Sequence, residues 1–193
     1  ITRYRLEDAV NADQPRRFSL TMRNMHWQIN GRSFEMEVVA RDEIVQVGTP
    51  DQMYEYPNSR FVAEFIGSVN MFEGRLIEDE PSYVRIETDD LEAPIYVDHG
   101  VSSAPGATVW AAIRPEKIQI SREKPTESDN WGSGIVRDIA YMGDVSVYLI
   151  RLDSGKSVRV TQPNVYRHAE DRVTWDERVY VHWHATSPVV VTK

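Results

Sequence analysis

The stretch Gly155-Lys156-Ser157 has the residue types of a loop that binds nucleotide phosphates. Such a loop needs glycines whose N–H groups surround the phosphates, a lysine on the terminal phosphate and a hydroxyl on magnesium. Its first glycine belongs at position 150, where this chain has Ile150. The stretch also lies between two runs of alternating apolar residues, Val145 to Leu152 and Ser157 to Val160. We therefore predict a hairpin turn there, with no ATP bound by this chain and no catalytic residue.

Two histidines, His182 and His184, are the residues best spaced to hold a metal. On a strand they lie on the same side, because side chains repeat with period two. Two ligands hold a metal poorly, and the chain has no Cys for a copper or zinc thiolate site. Val179, Val181 and Trp183 form the alternating apolar set, so we expect the histidines to face solvent or a partner. No metal site is predicted.

The tripeptide Arg114-Pro115-Glu116 could hold a guanidinium in a fixed place. Pro115 fixes its own φ and favours an extended Arg114, so that the guanidinium can meet a carboxylate in bidentate fashion at a strand end. One interpretation is an ion pair within the fold. The other is contact with a partner or small ligand, so Arg114 and Glu116 are candidate contact residues.

The tetrapeptide Tyr141-Met142-Gly143-Asp144 separates two runs of alternating apolar residues. We expect a turn between strands in which Gly143 or Asp144 takes the unusual backbone angle. A structural role is the first interpretation. Tyr141 and Asp144 are kept as candidate interface or ligand contacts.

Two short helices are expected within residues 50–66. Thr49 can cap the first helix and form a capping box with Gln52, and Pro57 ends it. The second begins after Asn58 or Ser59 and buries one face. Gly67 can close it with a positive φ.

From residue 70 onward the chain reads as short strands rich in Val, Ile and Tyr. The runs cover residues 71–77, 83–88, 95–97, 108–113, 118–120, 134–141, 145–152, 157–161, 179–183 and 189–192. Their spacing predicts a mainly β fold, a small barrel or sandwich, with Trp110, Tyr148 and Trp183 in its core. The polar stretch 121–133 is the natural linker, and one interpretation divides the β-region there into two half-barrels. Residues 162–176 form a second irregular segment.

The first quarter of the chain has a different character. Asn30-Gly31 between alternating apolar runs predicts a β-hairpin with strands within residues 18–39. The stretch from Met25 to Met36, which contains His26, resembles part of the last cupredoxin domain of multicopper oxidases. His26 is interpreted as a hairpin residue and not as a copper ligand.

The rest of the chain resembles another family. Four stretches carry the likeness, namely Gly48–Gly67, Ser68–Gly74, Ile113–Ile118 and Ile139–Tyr148. They resemble the C-terminal end of ATP-binding subunits of ABC importers in the polyamine group, most closely putrescine importers, from about residue 44 to 193. The resemblance implies an OB-like β-barrel of the type called TOBE, which joins two ATPase subunits and carries regulatory signals. ATP and Mg²⁺ would belong to the intact subunit.

The two resemblances together suggest a gene fusion with three parts. Residues 1–43 would form the hairpin segment, 44–67 the helical end of a nucleotide-binding domain and 68–193 the TOBE domain. We expect a homodimer that meets permease subunits through the missing nucleotide-binding domain, in the cytoplasm at the inner membrane. The alternatives are a stand-alone OB-like module that binds a small ligand, and an inert fusion product with an oxidase fragment.

The composition limits the range of partners. The formal net charge of −8 opposes binding to nucleic acid or to an anionic membrane surface. No stretch approaches the roughly twenty apolar residues that span a bilayer, so we expect no membrane insertion. The absence of Cys excludes disulfides and is compatible with the cytoplasm.

Overall fold

A computed structural model describes residues 21–23, 36–40, 43–126, 128–165 and 172–192 of the 193-residue chain. The chain divides into two compact units, residues 1–67 and residues 68–193. Each unit is described by itself below. No helix within the described ranges is long and apolar enough to cross a membrane.

The described part of the first unit includes a small antiparallel sheet. Its strands are β1 (Thr21–Arg23), β2 (Met36–Ala40) and β3 (Glu43–Gly48), in the order β1-β2-β3. Two of them fall in the region where strands are predicted. The Asn30-Gly31 turn and His26 lie outside the described residues, so the hairpin turn stays a prediction.

Two short helices follow the sheet, as predicted. Helix α1 (Pro50–Glu55) begins with the expected capping box, in which Thr49 N donates to Gln52 Oε1 at 3.0 Å and Gln52 N donates to Thr49 Oγ1 at 3.4 Å. This arrangement satisfies N–H groups that the first turn of a helix leaves without partners. Met53 is the buried residue of α1.

Helix α2 (Arg60–Ile66) begins at Ser59, whose hydroxyl accepts a hydrogen bond from Val62 N. Val62 and Met53 pack with Val38 of β2 in a small apolar cluster. The expected positive φ at Gly67 is wrong. Gly67 has φ 174° and ψ 178°, which is extended backbone that any residue adopts, so the helix does not end in a left-handed residue.

The described residues of the second unit form ten strands in two antiparallel sheets. The strands are β4 (Asn70–Glu80), β5 (Tyr83–Glu87), β6 (Ile95–Val97), β7 (Thr108–Ile113), β8 (Gln119–Ser121), β9 (Asn130–Tyr141), β10 (Val145–Leu152), β11 (Ser157–Pro163), β12 (Arg178–Trp183) and β13 (Val189–Val191). The sheet orders are β11-β10-β9-β12-β8 and β13-β7-β4-β5-β6. The mainly β prediction is confirmed.

The expected linker 121–133 is partly strand. Its last four residues belong to β9, and Ser121 ends β8. Both strands lie in one sheet, on either side of β12. A 3₁₀ turn, Pro115–Lys117, joins β7 to β8.

The core of the second unit lies between the two sheets. Along β12 the predicted alternation is confirmed, because Val179, Val181 and Trp183 are all buried. The Trp183 ring lies 5.5 Å from the ring of Phe72 on β4. Tyr148 on β10 is also buried, as expected.

The assignment of Trp110 to the core is wrong. The inward positions of β7 are taken by Val109 and Ala111, so Trp110 between them faces the other side and is half-buried. Its indole Nε1 donates to Glu73 Oε2 of the neighbouring β4 at 3.1 Å. Trp110 therefore covers the outside of the sheet.

One buried amide connects the two sheets of the second unit. Asn70 Nδ2 donates to the carbonyl oxygens of Arg159 on β11, at 2.8 Å, and of Ile113 on β7, at 3.3 Å. Asn70 Oδ1 accepts from Arg159 N at 2.8 Å. The Asn70 side chain thus connects β4 and β7 of one sheet to the edge strand β11 of the other.

Candidate functional site

The stretch Gly155-Lys156-Ser157 forms the predicted hairpin turn between β10 and β11. Leu152 N donates to Lys156 O, Gly155 N donates to Leu152 O, both at 2.8 Å, and Gly155 has φ +95°. Lys156 Nζ lies 2.9 Å from Asp90 Oδ2 and 5.0 Å from the centre of the Phe72 ring. The lysine is therefore part of an ion pair within the barrel, and the backbone around it does not open a helix as a phosphate loop requires.

The two histidines lie on the outward face of β12 and just beyond it. His182 is half-buried and His184 is exposed. Burial lowers the pKa of His182, and the nearby His184 adds to this effect. Within the described residues no group of three His, Cys, Asp or Glu side chains is placed to hold a metal ion.

Arg114 lies buried at the corner between β7 and the 3₁₀ turn. It is 5% exposed and its backbone is extended, with φ −69° and ψ 140°, as the following proline predicts. Its Nη1 donates to the carbonyl oxygen of Ser68 at 3.3 Å. Glu116, two residues on, is exposed. Arg114 thus holds the backbone at the start of the second unit.

Arg114 is part of a polar group that we call the junction cluster, made of Ser68, Asn70, Arg114 and Arg159. Besides the contacts given above, Arg159 Nη1 donates to Ser68 Oγ at 2.9 Å. The cluster fixes the two residues that open the second unit to strands β7 and β11. The sequence analysis missed Asn70 and Arg159, although a polar Asn directly before the apolar run of β4 was a usable signal.

Tyr141, Met142, Gly143 and Asp144 form the turn between β9 and β10, as predicted. Met142 N donates to Val145 O at 2.9 Å, and Gly143 carries the unusual angle, φ +98°. Tyr141 and Met142 are 63% and 66% exposed. The turn presents these two side chains to solvent.

The β9–β10 turn is held in place from outside. Asn164 N donates to Asp144 O at 2.7 Å, and Asn164 Nδ2 donates to Gly143 O at 3.0 Å. The Arg172 guanidinium lies 5.5 Å from the centre of the Tyr141 ring. The four candidate residues therefore occupy two elements, Arg114 and Glu116 at the 3₁₀ turn and Tyr141 and Asp144 at the hairpin turn.

A cleft that the sequence analysis did not predict lies between the ends of the edge strands β8 and β11. Its volume is about 610 Å³, and its lining includes Ile120, Tyr148, Gln162, Pro163, Arg172 and Val173. We call it the seam cleft. Its residues come from parts of the chain that are distant in sequence, so no local pattern signals it.

One wall of the seam cleft is fixed by ion pairing. Arg122 Nε lies 2.5 Å from Glu177 Oε1, and Arg122 Nη2 donates to Arg172 O at 3.1 Å. Glu177 also accepts a hydrogen bond from Thr174 N at 2.8 Å. The hydrogen bond from Arg122 lowers the pKa of Glu177, with the bond from Thr174 next. Residues 172–174 are thereby attached to the end of β8.

Comparison with known proteins identifies a matching family model and similar transport proteins. The TOBE domain model matches residues 111–191. The putrescine transport ATP-binding protein PotG of Escherichia coli (strain K12) is 40% identical over 155 residues, which are 80% of this chain and 41% of that protein. The spermidine/putrescine import ATP-binding protein PotA of Trichormus variabilis is 33% identical over 152 residues, 78% of this chain and 39% of that protein. The chain spans about 40% of the length of these relatives.

Among solved structures, the cytoplasmic molybdate-binding protein ModG is similar with a TM-score of 0.54. The match covers 63% of this chain and 94% of that one, at 15% sequence identity. At this identity the likeness concerns the fold alone, and it supports the OB-like architecture of the second unit.

Proposed function

The chain carries the C-terminal accessory domain, of TOBE type, found in ATP-binding subunits of polyamine importers, and from this premise we propose that it regulates and dimerises such a subunit. The observation that carries the proposal is the similarity to the putrescine-transport protein over four fifths of the chain. The junction cluster, in which Asn70 and Arg114 are buried, supports it. A domain that passes on a change of position needs its first residues to be held firmly to its own strands, and the cluster does this within the second unit.

Putrescine is the transported substrate under this proposal, and the ATP and Mg²⁺ sites belong to the part of the subunit outside this chain. The domain contributes no nucleotide contact, since Lys156 is held by Asp90 in a hairpin turn. The subunit works at the cytoplasmic face of the inner membrane and meets the permease through its nucleotide-binding part. The exposed Glu116, Tyr141 and Asp144 are proposed as interface contacts, whereas the buried Arg114 is proposed to act within the fold by holding the start of the second unit.

A homodimer is supported by the edges of the sheets. Strand β13 (Val189–Val191) pairs with β7 on one side only, and an unpaired strand edge is a template for another strand. We expect a concentration-dependent dimer in sedimentation equilibrium. A chain that stays monomeric at high micromolar concentration contradicts this part of the proposal.

A chimaera tests the transport role. Residues 44–193 of this chain replace the corresponding C-terminal region of the Escherichia coli relative, in a strain that lacks that subunit. We expect uptake of labelled putrescine to be retained. A chimaera that is expressed and hydrolyses ATP but restores no uptake contradicts the proposal. The control is the Escherichia coli relative truncated before its C-terminal region, in the same strain.

A further inference from the structure

We propose that the second unit is built from two halves of one architecture, each of which binds the other by exchanging its fifth strand. Among the residues that the structure describes, the first half runs from β4 to β8 and the second from β9 to β13. The boundary between Ser121 and Asn130 falls within the stretch 121–133, where the sequence suggested a division into two half-barrels. The inference stands apart from the transport role, because it concerns how the barrel is held together.

The two sheets have the same strand order. The first four strands of the first half stand as β7-β4-β5-β6, and those of the second half stand as β12-β9-β10-β11. The fifth strands are exchanged, since β8 follows β7 in the chain but pairs with β12, and β13 follows β12 but pairs with β7. Each half therefore covers a strand edge of the other that would otherwise be open.

The pairing registers also repeat with a constant offset. Asn70 opens β4, and Asn130 opens β9, 60 positions later. The ladder between the first and second strands carries one extra residue after Leu76 in β4 and after Val136 in β9, again 60 positions apart. The exchanged strands are shifted by 70 positions, as are their partners on β7 and β12. Strand order and register thus repeat together.

The same polar contact joins the halves twice. Asn130 Oδ1 accepts from Tyr96 N at 2.7 Å, and Asn130 Nδ2 donates to Tyr96 O at 2.9 Å. Asn70 makes the same two bonds to the backbone of Arg159, both at 2.8 Å. Each buried asparagine therefore links the first strand of its own half to the third strand of the other half.

The turn before the fourth strand is also built alike in both halves. Gly106 has φ +84°, and Asp176, 70 positions later, has φ +61°. Gly106 N donates to Leu76 O at 2.7 Å, and Asp176 N donates to Val136 O at 2.9 Å. The turn and the extra residue of the first strand therefore occupy equivalent places in each half.

Cleavage between the halves tests the proposal in the full chain. A recognition site for a specific protease is inserted between Pro125 and Thr126, in the loop that joins β8 to β9. After cleavage we expect the pieces to elute as one complex with the circular dichroism spectrum of the uncut chain, because each holds the other's fifth strand. Their unfolding midpoint in urea should rise with protein concentration. Pieces that separate at micromolar concentration, or that lose the β-type spectrum, overturn the proposal.

Matched variants of the cleaved chain test the exchanged strand itself. Val191 on β13 is 2% exposed and lies opposite Trp110 of the first half. V191D places a charge in this contact, so the affinity of the pieces should fall at least about tenfold.

The control is L149D, on a strand that pairs within its own half, where Leu149 is 37% exposed. It should change the affinity of the pieces by less than about threefold. If V191D does not fold, V191A and L149A give the same comparison. Equal weakening by the changes at the two positions overturns the proposal, whereas the uptake chimaera can fail without affecting it.

Discussion

At the scale of single residues, Arg114 is the side chain on which the barrel depends most clearly. It is buried and donates to a carbonyl at the start of the second unit. Truncation of Arg114 removes this hydrogen bond to the carbonyl oxygen of Ser68 and leaves a cavity where the buried side chain was. We therefore expect R114A to lower the free energy of unfolding by about 3 kcal/mol.

Urea unfolding followed by circular dichroism measures the effect of R114A. The control is E123A, an exposed residue nine positions further along the chain, which should change the free energy of unfolding by less than about 0.5 kcal/mol. Equal effects of the two substitutions would show that the guanidinium does not anchor the strand.

His182 should make stability depend on pH. Its pKa in the folded chain lies below the ordinary value of about 6.5, so the unfolded chain binds its proton more readily. The stability that the neutral ring contributes is present above about pH 6.5 and is lost as pH falls from there through the folded pKa.

Thermal unfolding at a series of pH values checks this. Between neutral pH and the folded pKa, the Tm of H182Q should fall less than that of the wild type. H184Q is the matched control. It should keep most of the pH dependence of the Tm, because burial lowers the pKa of His182 more than the nearby His184 does. Parallel curves for H182Q and the wild type would exclude His182 as the source.

At the scale of elements, the pairing of β4 with β5 requires a glycine. A Cβ at Gly74 would lie 2.4 Å from Glu87 O and 2.6 Å from Ile86 Cγ2. Real Cβ atoms do not approach backbone so closely, so one of the strands must move. We expect G74A to lower the free energy of unfolding by about 3 kcal/mol or to prevent folding.

Gly106 supplies the control for G74A. It has φ +84° with nothing within 4 Å of an added Cβ, so G106A adds backbone strain alone. We expect G106A to lower the free energy of unfolding by about 1 kcal/mol, measured by the same urea unfolding. If G106A is the more damaging change, the close approach of β4 and β5 is not what fixes their spacing.

Short sequence patterns correctly predicted the structural elements that depend on neighbouring residues. The capping box at Thr49, the turn at Gly143 and the alternation of β12 each depend on a few adjacent residues, and each is confirmed. Trp110 was misplaced because its size was taken as a sign of burial, whereas its position between Val109 and Ala111 puts it on the other face.

The junction cluster and the seam cleft were beyond prediction from the sequence. Asn70 contacts Arg159, 89 residues away, and the cleft joins residues from three strands and the loops next to them. Such contacts depend on strand order, and strand order follows from the packing of the whole barrel instead of from any single motif.

At the scale of the whole molecule, the second unit has its own core. A cluster of buried side chains, from Phe72 to Trp183, lies among the described residues of this unit. A chain of this size buries enough apolar surface to fold alone. We expect a fragment of residues 68–193 to give a β-type circular dichroism spectrum and one cooperative unfolding transition. A fragment without cooperative unfolding would show that the first unit is needed to complete the barrel.

The strand order also bears on how quickly the barrel can form. Strand β4 pairs with β7 across the intervening β5 and β6, and β12 lies between β9 and β8. Each of these pairings closes a long loop and so lowers the entropy of the chain. Contacts with the neighbouring strands offset this cost only after those strands have paired. Refolding after dilution from urea should therefore take milliseconds to seconds, as for other folds of high contact order. During that interval the valine-rich strands are open to other chains, so yield in the cell should fall as the rate of synthesis rises.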